Sequence, residues 1–241
     1  GFYQTAAIWE IMSSVTIAPV GSTDRSPGRS PGRSARKPRG QGASRRDEIL
    51  DAAKRLFLTE GFEHATIRKI AAAVGVSSAA LYLYFPDKDA ILRAIAESTF
   101  ETLLARLEQS QRHPGDDLDR FRAGLETYVR FGLAHPDEYR LTFLAKMMTS
   151  SGPGRPAAPC EDLPAADRSF SILADGIAGL MRSGTFRQDD PLLIAEAVWA
   201  SLHGLTALLL DQADHIESPH DLLIAAVLDM VIRGLSAPPE H

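Results

Sequence analysis

From residue 45 to residue 235 the apolar positions recur at the spacing of helices, and no segment shows a strand's alternation. In RRDEILDAAKRLFLTEG (45–61), Ile49, Ala53, Leu56 and Phe57 stand at i, i+4, i+7 and i+8. Asp47 and Glu48 sit in the first turn, where the helix dipole favours them, and Gly61 is a stop signal. In TIRKIAAAVG (66–75), Ile67, Ile70, Ala71 and Val74 fall on one face, with Thr66 as N-cap and Gly75 as the stop. Ser77 caps a third, short helix ending near Phe85. Pro86-Asp87 opens a fourth, about 88–112, which ends at His113-Pro114-Gly115. Further helices are predicted at about 117–134, 137–149, 164–183, 190–212 and 219–235. The fold class is all-α.

The run VGVSSAALYLYF (74–85) takes its meaning from these neighbours. A helix, a tight turn at Gly75 and a second short helix make a helix-turn-helix. Val76 and Leu81 turn inward against Ile67, Ile70 and the first helix. Ser77, Ser78, Ala79, Ala80, Tyr82 and Tyr84 are left for the outward face, narrow enough for a major groove. An αα-corner with an aromatic contact to the core is the plainer alternative.

Charge sharpens the picture. Residues 1–46 hold eight basic side chains and two acids, a net +6, against −11 for the rest, within a total of −5. A basic arm on an acidic body suits a polyanion at one end only. Residues 21–44, with the repeat SPGRSPGRS, are too poor in apolar residues to fold alone and are expected to be disordered. The arm reads as a solubilising tail or as a nucleic-acid arm; because it runs directly into the first helix, the second reading is favoured. The domain expectation is a disordered basic extension over 1–44, a DNA-binding domain over 45–92 and a larger helical domain over 93–236. The stretch AAIWEIMSSVTIAPV lacks a basic n-region and is interrupted by Glu10, so it does not read as a secretory signal, and residues 1–11 are left out of the fold expectation. No apolar run is expected to reach the roughly 20 residues of a membrane span. Cys160 is the sole cysteine, which excludes an internal disulfide and suits a cytoplasmic setting.

The segment TIRKIAAAVGVSSAALYLYFPDKDAIL closely resembles the DNA-binding domain of the tetracycline-repressor (TetR) family, and RRDEILDAAKRLFLTEGF resembles that family's first helix. The resemblance covers residues 45–93; residues 94–235 match in helical layout and length, and WASLHG (Trp199, His203, Gly204) resembles a Trp…His-Gly signature of one subgroup's C-terminal domain. It implies that 77–84 is the recognition helix. Thr66, Ser77, Ser78, Tyr82 and Lys88 then contact phosphates, and Ala79, Ala80 and Tyr84 face base edges. Arg45 and Arg46 join the DNA-contacting set, and Leu81 and Phe85 are structural. Two alanines at base-facing positions form no hydrogen bonds, so part of the discrimination is expected from Tyr84, Ser78 and arm arginines in a narrow minor groove.

In this family the remaining helices bind a ligand and dimerise. LLIAEAVWASLHGLTALLL and DLLIAAVLDMVIRGL are apolar on more than one face, which suits a homodimer through the last two helices, about 190–212 and 219–235. A helix pair buried within a monomer is the alternative. Phe121, Tyr128, Phe131, Tyr139, Phe143, Met147, Phe170, Ile177, Trp199 and His203 are the candidate lining of an apolar or aromatic effector's cavity, although for His203 the reading as a hydrogen-bonded core or interface histidine is favoured over a ligand contact. No cofactor or metal is expected: Cys160 is isolated, His203, His215 and His220 lack ligand spacing, and HPDEY (135–139) reads as a helix start. An enzyme is therefore disfavoured, and a helical interaction protein without DNA binding is the remaining rival. The expected function is a ligand-released repressor on a pseudo-palindromic operator, with an activator as the alternative; the fourth helix would carry pocket movement to the reading heads.

Deleting residues 1–44 is expected to weaken DNA binding and to flatten its salt dependence, the log–log slope falling by about 0.9 for each phosphate that the arm neutralises. A salt titration giving the same affinity and slope for both proteins would make the arm a tail.

Overall fold

The computed structural model describes residues 42–144 and 163–237. The basic arm up to residue 41, Met147, Cys160 and the rest of 145–162 lie outside the described residues. Regular structure among the described residues is helical, apart from one isolated bridge between Phe186 and Ser236. The helices are α1 (Gly42–Glu60), α2 (Ile67–Ala73), α3 (Ser78–Tyr82), α4 (Lys88–Ser110), α5 (Asp117–Ala134), α6 (Pro136–Tyr139), α7 (Pro164–Arg182), α8 (Pro191–Asp211) and α9 (His220–Leu235). A π-wound turn, Arg140–Leu144, follows α6, and a 3₁₀ turn, Ala213–His215, follows α8. Because α1 starts at Gly42, a deletion that spares it must stop at residue 41.

The described residues divide into two units, 42–95 with 141–144 and 96–140 with 163–237. The first unit packs α1, α2, α3 and the start of α4 around Ile49, Ala53, Phe57, Phe62, Ile70, Leu81, Phe85, Ile91 and Leu141. Phe57 and Phe62 meet with ring centroids 5.1 Å apart across the Gly61 turn, where φ is +81°. Leu141 belongs to this core, whereas the sequence boundary ran unbroken from 93 to 236.

The second unit packs α8 against α5, α7 and α9, and α5 against α7 and α9. Leu125, Val129, Ile177, Leu180, Ala195, Val198, Leu202, Ile224 and Leu228 are buried there. Asp116 opens α5 with a reciprocal capping box: its carboxylate accepts from Asp119 N at 2.8 Å, and Asp119 accepts from Asp116 N at 3.1 Å. The end of α9 is tied back by Arg187 N to Leu235 O at 2.9 Å and Ala237 N to Thr185 O at 3.0 Å.

Two sequence expectations change. Of the helix expected over 137–149, the described part is one α-turn from Pro136 and then the π-wound turn to Leu144, and 145–149 lie outside the described residues. The chain passes from one unit to the other between Arg140 and Leu141. Side chains on the two sides of that point belong to different cores, so one regular α-face cannot serve both, and the i, i+4 register assumed for Tyr139 and Phe143 is lost. Secondly, α8 is long and apolar enough to cross a bilayer by length and composition, because Glu196 and His203 interrupt the run without making it polar. Its Ile194, Ala195, Val198, Leu202, Leu205 and Leu209 are buried in the second unit, as in a core helix.

The turn between α2 and α3 has Gly75 at φ +69°, with Val76 N bonded to Ala71 O (2.9 Å) and Gly75 N to Ala72 O (3.2 Å), the Schellman pair. A side chain at this φ is strained, so Gly75→Ala is expected to cost about 1–2 kcal/mol in urea unfolding.

Candidate nucleic-acid interface

A helix as short as α3 cannot hold itself together, so its ends and its inner side must be fixed by the rest of the fold. Ser77 Oγ accepts from Ala80 N at 3.1 Å and starts the helix; Thr66 Oγ1 does the same for α2 from Lys69 N at 3.3 Å. On the inner side Leu81 and Phe85 are buried, with Val76 and Ile67 packed partly against the same core. At about 100° per residue, Ala79 and Leu83 point away from Leu81. Ser78 and Tyr82 take one flank, and Ala80 and Tyr84 the other. Exposure agrees: Tyr82 is 53%, Leu83 85% and Tyr84 39% exposed.

Beside the Ser78–Tyr82 flank is an open hollow of about 390 Å³, lined by Glu63, Ala65, Thr66, Ile67, Arg68, Ser78, Tyr82 and Lys88. Three hydroxyl groups and two cations converge there, the chemistry of a phosphate contact, beside the one carboxylate of Glu63 near Lys88. The capping hydroxyl of Thr66 accepts a bond yet keeps its own proton to donate.

The basic residues are more constrained than the sequence suggests. Lys88 is not a free point charge: its side chain is 23% exposed, and Nζ donates to Phe62 O at 2.8 Å, lies 4.2 Å from the Phe62 ring centroid and is 3.9 Å from Glu63. The carbonyl left open by the Gly61–Phe62 turn and the ring face capture an ammonium with three donors. Lys88 still borders the hollow. Arg45 donates to Glu48 (2.6 Å) and Val74 O (3.2 Å), and Arg46 lies 5.2 Å from the Phe85 centroid. Asp87 caps α4 by accepting from Ala90 N at 2.7 Å.

Sequence reasoning missed Arg68 and Leu83. Arg68 follows the Thr66 cap by two residues, on the rim of the hollow. Leu83 lies midway between Leu81 and Phe85; once those two are assigned inward, it can only point outward.

In the second unit, four of the candidate ligand residues form one hydrogen-bonded cluster. Trp199 Nε1 donates to Tyr128 Oη at 3.1 Å, the Tyr128 and Tyr139 hydroxyls are 3.3 Å apart, and Tyr139 Oη lies 2.6 Å from His203 Nδ1. The Tyr139 and His203 rings stack with centroids 5.4 Å apart. Burial pushes Tyr128 up to about 12, raises Tyr139, and lowers His203 to about 4. All three are neutral at pH 7, and the Tyr139 hydroxyl and His203 Nδ1 share one short hydrogen bond. Phe121 packs edge-on against Phe186, and Phe131 against His135 under Arg106. Ile177 is buried and Phe170 half-buried on α7. Phe143 falls in the other unit, and Gly204 lies exposed beside His203.

Residues 49–95 match the profile of bacterial regulatory proteins of the tetR family, and residues 121–233 that of the tetracyclin repressor-like C-terminal domain. The chain belongs to the TetR family. It is therefore a transcriptional regulator with a DNA-binding helix-turn-helix, and not an enzyme. Among curated relatives, it is 30% identical over 162 residues to the nucleoid occlusion factor SlmA of Idiomarina loihiensis, covering 67% of this chain and 79% of that protein. It is 35% identical to the HTH-type transcriptional repressor Rv1474c of Mycobacterium tuberculosis, over 40% of this chain and 45% of that one. Of several curated relatives the chain thus spans only about half the length. Among solved structures, a protein of unknown function from Rhodococcus sp. RHA1 superposes with a TM-score of 0.66 at 28% identity, over 83% of this chain and all of that one. The TetR-family regulator PfmR of Thermus thermophilus gives 0.61 at 25%, over 78% and 98%.

The neutral His203 makes stability pH-dependent. Its folded pKa lies below its unfolded value of 6.5, so this contribution is complete above about pH 6.5 and is lost as pH falls towards 4. Native protein is expected to lose up to about 3 kcal/mol from this group between pH 7 and pH 4. His203→Gln is expected to lose less over the same window when urea midpoints are compared.

Proposed function

We propose that this TetR-family chain is a dimeric repressor that binds a pseudo-palindromic operator and is released by a small, mainly apolar effector. The observation that carries the reading is the roll of α3: Leu81 and Phe85 inward, and Tyr82, Leu83 and Tyr84 outward beside the hydroxyl-lined hollow. Thr66, Ser77, Ser78, Tyr82 and Lys88 serve phosphates, and Ala79, Ala80 and Tyr84 the base edges. Arg45, Arg46 and the basic arm add charge along the backbone. A cytoplasmic site of action follows from that role.

The dimer rests on α8 and α9. Leu192, Leu193 and Leu208 on α8, and Leu222 and Met230 on α9, are exposed. Ala197, Ala200, Ser201 and Gly204 lie exposed between the α8 leucines, and a Cβ at Gly204 would meet nothing within 4 Å. So large an apolar face wants a cover, and small residues allow a second copy's helices to approach closely. Two reading heads then fit half-sites about one helical turn apart.

The effector reading rests on the second unit. Phe121, Phe131, Phe170 and Ile177 offer apolar contact, and the Tyr128–Tyr139–Trp199–His203 cluster offers hydrogen bonds to one polar group. A ligand lowers DNA affinity only by as much as it prefers the released conformation. Helix α4 starts in one unit and ends in the other, which makes it the covalent route for that preference. The name of the mycobacterial relative supports repression. The alignment with a nucleoid occlusion factor favours a second reading, in which the chain binds DNA to act on the nucleoid and not on promoters.

Selection of genomic fragments by the purified chain tests both: a short set of promoter palindromes supports the repressor, and sites outside promoters the alternative. A double Leu208→Glu, Met230→Glu variant is expected to sediment as a monomer and to lose at least tenfold in operator affinity. A wild-type monomer that binds the operator equally well would end the dimer proposal.

A further inference from the structure

We infer that the recognition helix reads its half-site chiefly through thymine methyl groups, contacted by Leu83 and Ala79, and not through bidentate hydrogen bonds to base edges. The inference rests on the operator-binding reading above and names the sequence class that reading leaves open.

Three observations carry it. First, Ala79 on α3 and Leu83, its C-cap in helical conformation, point away from the buried Leu81. Secondly, Leu83 is 85% exposed, more than Tyr82 or Tyr84 beside it, and nothing in its own unit covers it. Thirdly, residues 76–85, VSSAALYLYF, contain no Arg, Lys, Asn, Gln, Asp or Glu. Those are the side chains that pair with guanine, adenine and cytosine edges, so the helix lacks every group that makes a bidentate base contact. Of its four hydroxyls, Ser77 caps the helix, Ser78 and Tyr82 line the hollow on the phosphate side, and Tyr84, on the other flank, is the one left to reach a base edge, by a single bond and not a bidentate pair. In the major groove the one apolar feature of a base edge is the C5 methyl of thymine. Water is displaced from both the leucine and the methyl when they meet, and each methyl buried is worth about fourfold in affinity. Two heads double the number of such contacts per operator.

Leu83 is accordingly a specificity residue. The phosphate-facing hydroxyls and cations supply affinity without regard to sequence, and the leucine supplies the preference.

The test uses DNA selected from a random pool by the full chain, with affinities measured at fixed salt. Thymines in each half-site are replaced singly by deoxyuridine, which pairs identically and lacks only the methyl. One or two positions per half-site are expected to weaken binding about fourfold with wild-type protein. Leu83→Ala, a change at an exposed position, is expected to bring the thymine-to-uracil ratio at one of these positions close to one. Tyr82→Phe is expected to weaken both DNAs equally and to keep the ratio. If every uracil substitution changes affinity less than twofold, or if Leu83→Ala keeps the full thymine preference, the inference is overturned while the operator reading stands. Recovery of no preferred sequence would end the operator reading and this inference together.

Discussion

The pair Leu81 and Phe85 is the constraint on which the reading surface depends. A helix of five residues has too few internal bonds to persist alone. Its axis and roll are set by two buried side chains one turn apart, locked against Ile49, Phe57, Ile70 and Ile91 in one core. Burial of both is worth several times thermal energy, about 1.5–3 kcal/mol for each large apolar side chain. Rotating the helix by one residue would bury Tyr82 and expose Leu81. The hydrophobic core therefore fixes which atoms can meet a duplex, although none of its own atoms can.

The polar groups at the turn serve two ends. Thr66 and Ser77 satisfy backbone amides that would otherwise be open at helix starts, and a hydroxyl that accepts in this way can still donate. Gly75 lets α2 stop and α3 begin within four residues, and its amide closes the end of α2. Lys88 shows the opposite arrangement. Its ammonium commits one bond to Phe62 O and covers a ring, so its charge is held in place at the rim of the hollow. A tethered cation loses less conformational freedom when a phosphate arrives than a free one does.

The helix-turn-helix was legible because each of its signals is local. Thr66, Gly75 and Ser77 act within three or four residues, and the apolar spacing of 67–74 needs no knowledge of the rest. What escaped the sequence depends on partners far along the chain. Nothing near Lys88 announces a bond to a carbonyl 26 residues earlier. Leu141 reads as one more apolar residue of a helix until its membership of the first core is seen. Leu83 was hidden by its type, since a leucine among tyrosines is taken for core before its flanking positions are assigned. The aromatic residues of the second unit were legible as inward-facing, but spacing did not reveal that Tyr128, Tyr139, Trp199 and His203 share one set of hydrogen bonds while Phe121 and Phe131 have other partners.

That cluster and the proposed subunit interface are carried by one helix. Trp199 and His203 lie one turn apart on the side of α8 that meets Tyr128 and Tyr139, while Ala197, Ala200, Gly204 and Leu208 lie on its exposed side. On the inner side the close packing leaves little slack: a Cβ at Gly132 would come within 2.4 Å of Thr206 on the same helix. Three polar rings kept neutral by burial tolerate rearrangement poorly, because a broken bond there leaves a donor or acceptor without water. A ligand that inserts its own polar group into the cluster must therefore shift α8 or replace the bond it breaks. In the proposed dimer a shift of α8 is a shift of the interface, so the buried tyrosine–histidine contact and the spacing of the two reading heads become parts of one equilibrium.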